Sequence, residues 1–161
     1  MKRSLPLFLL LAWTSAGPSP TVRTSVDEFG VLEHDVARLV NEHRSVHHLA
    51  TLTLDTAVAA IARAHSMAMA RGRAPLGHDG FADRAKRVEA FLTFKEIAEN
   101  VALNDYTGAR TVRVAVDGWL RSPHHRENIE GAFDITGVGI ARSRNGTFYY
   151  TQLFVATARG R

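Results

Sequence analysis

Residues 138–155, VGIARSRNGTFYYTQLFV, decide the class of fold. Val138, Ile140 and Arg142 alternate with Gly139, Ala141 and Ser143, and Thr147 to Val155 continues as a second run of period two. That period belongs to strands rather than helices. Between the runs, Asn145-Gly146 predicts a two-residue hairpin turn, because both positions tolerate positive φ. Pairing about such a turn sets Arg142 opposite Tyr149, Ile140 opposite Thr151 and Val138 opposite Leu153. Phe148, Tyr150, Gln152 and Phe154 then share the other face.

Upstream of the hairpin the period is mostly helical. Ser122-Pro123 marks a break and restart, since serine caps and proline suits the first helical position, which predicts a short helix from Pro123 to about Glu130, stopped by Gly131. Val112, Ala115, Val116 and Trp119 form one stripe of a helix over Thr111–Leu120. Lys95 to Leu103 is mixed, because Glu96, Glu99 and Asn100 interrupt Ile97 and Val101. Phe81, Ala85 and Val88 predict a helix from Phe81 to Phe91, preceded by a loop from Arg73 to Gly80 that carries Pro75, Gly77 and His78. Asp55 caps a further helix whose inner face is Val58, Ile61, Ala62, His65 and Met69, with Gly72 after the last turn. Asp35–Arg44 reads as the first helix. Helices first and a hairpin last predict an α+β domain, helices packed on an antiparallel sheet.

The amino terminus carries an address. Met1-Lys2-Arg3, the apolar run Leu5–Trp13 and the small residues Thr14-Ser15-Ala16 follow the order of a secretory signal peptide, 1–16. The run is shorter than the roughly 20 residues that span a bilayer, and no second one follows, so a protein that does not span the membrane is expected. Residues 17–33 read as a flexible leader, rich in Pro, Ser and Thr as far as Ser25, and 34–157 as one domain. The chain has no cysteine among 161 residues, which removes disulfides and thiolate metal sites from consideration, so burial alone must hold a secreted domain together. The formal charge is +4, with basic and acidic residues interspersed and no aromatic-basic stripe, which argues against a nucleic-acid partner.

Eight histidines invite a metal hypothesis. His43 and His65 fall on helix faces, as core or boundary histidines do, whereas His34, His47 and His48 are expected to meet solvent. His124 and His125 are adjacent, so on a helix they diverge by about 100°. His78, in a glycine-rich loop, and His125, in the first turn of a short helix, are the informative pair. The helix N-terminus disfavours imidazolium at His125, leaving the neutral ring that ligation or base catalysis needs. Glu99, among Ile97, Ala98 and Val101, is a carboxylate that burial forces toward histidine, backbone amides or a cation. A buried structural network would satisfy it as well as an active site would.

These residues also sit in a familiar order. Ala98-Glu99-Asn100-Val101-Ala102, Trp119 to Ile129, Phe133 to Gly139 and Tyr150-Thr151-Gln152-Leu153-Phe154 resemble the bacterial branch of the CAP superfamily (cysteine-rich secretory, antigen five and pathogenesis-related proteins). Asn41-Glu42-His43-Arg44, Leu54-Asp55 and Leu76-Gly77-His78 agree in order, so the likeness runs from Asp35 to Phe154. It implies an α-β-α sandwich, with a three-stranded antiparallel sheet between helical layers and a solvent-open cleft. It also implies that His78 and Glu99 fill two places of the family's cavity tetrad, and that His125 stands where the bacterial branch carries its histidine. Ser122 replaces the second glutamate of the eukaryotic tetrad, and Tyr149 replaces its second histidine, becoming a possible wall residue. Ala98 and His124 stand where glycines are usual.

Three functions follow for test. The first is a secreted (extracellular or periplasmic) binding or scaffold module without turnover, whose partner is a lipid, a peptide or an envelope component. The second is a divalent-metal site, zinc or another cation, with ligands His78, His125 and Glu99, or with Glu99 as an orienter. The third is a hydrolase of peptide or envelope material, metal-dependent or assisted by Glu99, with Glu99 and His125 as its catalytic pair. The first is favoured, because no activated serine or cysteine is present.

Overall fold

A computed structural model describes residues 28–158. The elements are α1 (Glu28–Val46), β1 (Thr53–Leu54), α2 (Thr56–Ala70), α3 (Phe81–Glu89), β2 (Phe94–Asn104), α4 (Ala109–Arg121), α5 (Pro123–Glu130), β3 (Ile135–Arg142) and β4 (Phe148–Thr157). Strands β3, β4 and β2 pair antiparallel and form the body of one sheet of order β1-β3-β4-β2. The sheet therefore has four strands rather than the expected three. β1 is only two residues long and parallel to the start of β3, held where Thr53 N donates to Asp134 O (2.8 Å) and Asp55 N to Thr136 O (2.8 Å). So short a strand, ending at a helix cap, carries no periodicity to read.

Helices cover both faces. On one face, α2 and α3 bury Val58, Ile61, Ala62 and Val88 against Leu153 and Val155, with Phe81 and Ile97 packed at the margin. On the other, α1, α4 and α5 bury Val36, Val40, Val112, Val116, Trp119 and Ile129 against Val138, Ile140, Phe148, Tyr150 and Phe154. Asp55 caps α2 as its position predicts, accepting from Ala57 N (2.8 Å) and Val58 N (2.9 Å). Gly139 explains how closely α2 lies on the sheet: a Cβ there would meet Arg63 N at 1.9 Å and Ala62 C at 2.3 Å.

Four expectations change. The first helix begins at Glu28, not Asp35, so residues 28–33 of the expected leader are helical. Glu33 disguises this turn: it is buried, accepts from Ile140 N (2.9 Å) and pairs with Arg63, covering the edge of β3. Residues 1–27, with the expected signal peptide, lie outside the described residues. The mixed stretch 95–103 is the long strand β2, whose two faces are both covered. Consecutive Glu99 and Asn100 can be buried because each finds polar partners on its own side.

The hairpin loop is the fourth. Ser143 N donates to Thr147 O (2.9 Å) and Gly146 N to Ser143 O (3.1 Å), closing three residues, Arg144-Asn145-Gly146, with Gly146 at φ +98°. A turn ended by a left-handed glycine makes the common three-residue hairpin loop. The register shifts by one: Arg142 pairs with Phe148, Ile140 with Tyr150 and Val138 with Gln152. Val138 and Ile140 thus join Phe148, Tyr150 and Phe154 in one core.

Candidate functional site

Glu99 sits on the α2/α3 face of the β2–β4 pair, opposite Leu153, with 2% of its side chain exposed. An isolated carboxylate there would cost several kcal/mol. Arg84 of α3 offsets this with a two-pronged grip: Nε donates to Glu99 Oε2 (2.6 Å) and Nη2 to Oε1 (2.7 Å). Such fork-to-carboxylate pairs fix direction as well as charge. His78 Nδ1 donates to the same Oε1 at 2.9 Å, so both oxygens of Glu99 are engaged.

The loop carrying His78 is pinned from below. Arg84 Nη1 donates to Asp79 O (2.8 Å) and Nη2 to His78 O (3.3 Å). His65 of α2 reaches Gly77 O through Nε2 (2.8 Å), and its Nδ1 meets Arg84 Nη1 at 3.2 Å. A guanidinium can only donate, so Nδ1 accepts and Nε2 carries the proton. That neutral tautomer agrees with a His65 pKa pushed down, chiefly by burial. Behind the cleft, Asn100 Nδ2 donates to His125 O (2.9 Å) and Asn128 Nδ2 to Asn100 Oδ1 (2.8 Å), tying α5 to β2.

The expected trio is only partly assembled. His78 and Glu99 are bonded, and His78 is half exposed, its Nε2 without a hydrogen-bond partner among the described residues. His125 makes no side-chain hydrogen bond to either, although its pKa is lowered by burial first and then by the nearby charges of His124 and His78. The direction matches the expectation, but burial rather than the helix end is its main cause. His124, with His78, Phe81, Glu96, Ile97, Ala98, Glu99 and Asn128, lines an open cavity of about 330 Å³; His125 does not. Tyr149 is elsewhere. It pairs with Leu103, four residues along β2 from Glu99 (about 13 Å at strand rise), and lines a separate cavity with Met69, Arg71 and Arg142.

As a metal site the set is incomplete. Among the described residues, the three histidines and acids whose ligand atoms all lie within 4.8 Å of one another are His43, His47 and Glu130, not His78, Glu99 and His125. Arg84 and His78 already engage both oxygens of Glu99, which disfavours it as a third ligand. Arg84, His65, Asn100 and Asn128 are the site residues that sequence reasoning missed. Arg84 had a signal: it falls at the inner position between Phe81 and Val88, where a lone charge requires a partner.

Two neutral histidines, buried His65 and half-buried His125, give the domain a pH signature. His65 and His125 have folded pKa values below the ordinary 6.5. As pH falls through 6.5 the unfolded chain binds protons that the native state refuses, so stability present above 6.5 is lost toward pH 5. Urea midpoints at pH 7.5 and 5.5 should therefore fall, and His125→Asn should flatten the decline. An unchanged slope in that variant would contradict the assignment.

An α+β sandwich with a polar, histidine-edged cleft over a buried acid defines the class, and the comparisons place it. The chain belongs to the cysteine-rich secretory protein (CAP) family, whose model matches residues 37–154. It is similar to an extracellular protein with an SCP domain from Bacillus anthracis (TM-score 0.67, 29% identity, covering 80% of this chain and 41% of that one). Likeness of fold extends to a cysteine-rich secretory protein from Staphylococcus aureus (TM-score 0.63, 19% identity, covering 82% and 41%). It extends also to an outer surface protein of Borrelia burgdorferi (TM-score 0.66, 19% identity, covering 78% and 94%). The chain spans about two fifths of the length of the first two. No curated protein matches the sequence. No helix among the described residues is long and apolar enough to cross a membrane.

Proposed function

We propose that this protein is a ligand-binding module of the extracytoplasmic space, and that its cleft recognises rather than transforms what it holds. One observation carries the reading: both oxygens of Glu99 are bonded to Arg84 and His78. A general base must reach a substrate proton, and this carboxylate, with 2% of its side chain exposed, already accepts three hydrogen bonds from a guanidinium and an imidazole. What faces solvent is a mixed rim, with the imidazoles of His78 and His124, the Asn128 amide and the Glu96 carboxylate beside apolar Phe81, Ile97 and Ala98. Such a rim suits a peptide, or a lipid or envelope fragment with a polar head. The extracellular and outer-surface descriptions of the similar proteins support the location.

A second reading keeps a divalent cation in the cleft. Glu99 accepting from Nδ1 is the outer half of a carboxylate–histidine–metal relay, which orients the ring and leaves Nε2 for the ion. His78 would supply one nitrogen, and His125, which stands outside the cavity lining, would supply a second only by turning toward it; an ion held there would act as a Lewis acid. Glu99 serves here as orienter, not ligand.

One experiment separates binding from hydrolysis. Unstructured peptides and envelope fragments are incubated with the immobilised protein, and both retained and released material are analysed. Retention that His78→Ala weakens, with released material uncut, is the expected result. Cleavage that disappears in Glu99→Gln would replace this reading with a hydrolase.

A further inference from the structure

We propose that His43, His47 and Glu130 form a second site, separate from the cleft, that binds a zinc-like divalent cation where α1 and α5 end. His43 lies in the last turn of α1, and His47 follows its last residue, Val46. The spacing of four turns both rings to one side, and their centroids are 4.3 Å apart at 40°. Glu130, the last residue of α5, brings Oε1 to 2.8 Å from His43 Nε2. One ligand atom from each residue lies within 4.8 Å of the other two. Zinc takes imidazole nitrogen and carboxylate oxygen at about 2.0–2.2 Å in tetrahedral array, so its ligands stand about 3.3 Å apart. Small side-chain rotations reach that spacing, and the fourth position stays open to water or an outside ligand.

The surroundings favour a cation. Two helix C-termini meet here, and each presents partial negative charge. The nearby positive groups include Arg44, Arg126 and Lys95, which lines a cavity with Arg44 and Glu130. Arg44 is buried and donates to the carbonyls of Ala50, Ile129, Gly131 and Phe133, which fixes the loop after α1 and the end of α5 without touching the acid. Arg126 lies a turn earlier on α5 and weakens the field at Glu130. The competing explanation is a plain His43–Glu130 clamp between helices. It gives His47 no part, although its ring lies against that of His43, and His47 is exposed, so its replacement should leave folding intact.

The test is titration of the purified full chain with zinc alone, in the wild type and in His47→Ala, Glu130→Gln and His78→Ala. Bound zinc is counted against a chromogenic chelator, and melting is followed with and without the ion. His47→Ala and Glu130→Gln should each bind one equivalent less than the wild type and lose its zinc-dependent rise in melting temperature. His78→Ala should keep that equivalent, whatever the cleft itself binds. Equal zinc uptake by His47→Ala and the wild type, with unchanged metal-free melting as the folding control, would overturn the proposal. So would a wild type that takes up none in excess zinc, or whose only equivalent is lost in His78→Ala.

Discussion

Replacing Gly139 with alanine is expected to cost more than about 4 kcal/mol, enough to leave little folded protein at ambient temperature. The added methyl would sit 1.9 Å from Arg63 N and 2.3 Å from Ala62 C, both backbone atoms of α2. No rotamer relieves a clash with backbone; the helix itself must retreat. Retreat would open the layer that holds Val58, Ile61 and Ala62 against Leu153 and Val155. It would also stretch the bond from Ser66 Oγ to Gly139 O (2.8 Å). The matched control is Gly118→Ala on α4, where nothing lies within 4 Å of the new atom. That change should stabilise by up to about 1 kcal/mol through helix propensity. Urea unfolding of both variants checks the pair, and a folded Gly139→Ala within about 1 kcal/mol of the wild type would show that α2 does not lie where described.

The second large effect is expected from Arg84. Changing it to methionine leaves Glu99 buried with only His78 to answer it, and removes the donors to Asp79 O and His78 O. Loss of one member of a buried ion pair typically costs about 3–5 kcal/mol. At roughly 2–4 °C per kcal/mol for chains near this size, the melting temperature should drop by about 10 °C. The loop from Arg73 to Gly80 should become more open to proteolysis than the rest of the domain, since Arg84 and His65 are what hold its backbone at 77–79. Melting curves and limited digestion measure both effects.

Most of the helical layer was legible because its apolar spacing is regular and its caps are chemical: Asp55 before α2, and Ser122-Pro123 before α5. The illegible parts share a cause. Glu33, Glu99 and Asn100 are polar residues buried against partners far away in sequence, so the local pattern looks like surface where the fold makes core. The hairpin register turned on whether Asn145-Gly146 closed the turn alone or with Arg144, which the dipeptide cannot say; the Ser143–Thr147 bond decides it. In the cleft, His78 and Glu99 were readable as a pair, but the ligand trio was not. The rings of adjacent His124 and His125 stand 6.0 Å apart, centroid to centroid, and it is His124 that lines the cavity. The family pattern sets Tyr149 at the cleft, whereas four residues of strand separate its level from that of Glu99.

The cleft is read here as a recognition surface because Glu99 is committed to Arg84, and a double-mutant cycle measures that commitment. Stabilities of the wild type, Arg84→Met, Glu99→Met and the double variant give the coupling directly from urea unfolding. A coupling of about 2–3 kcal/mol, with the double variant losing far less than the two single losses together, is the predicted result. Single losses that add to within about 0.5 kcal/mol would mean a carboxylate free of its arginine, available as base or ligand, and would contradict the account.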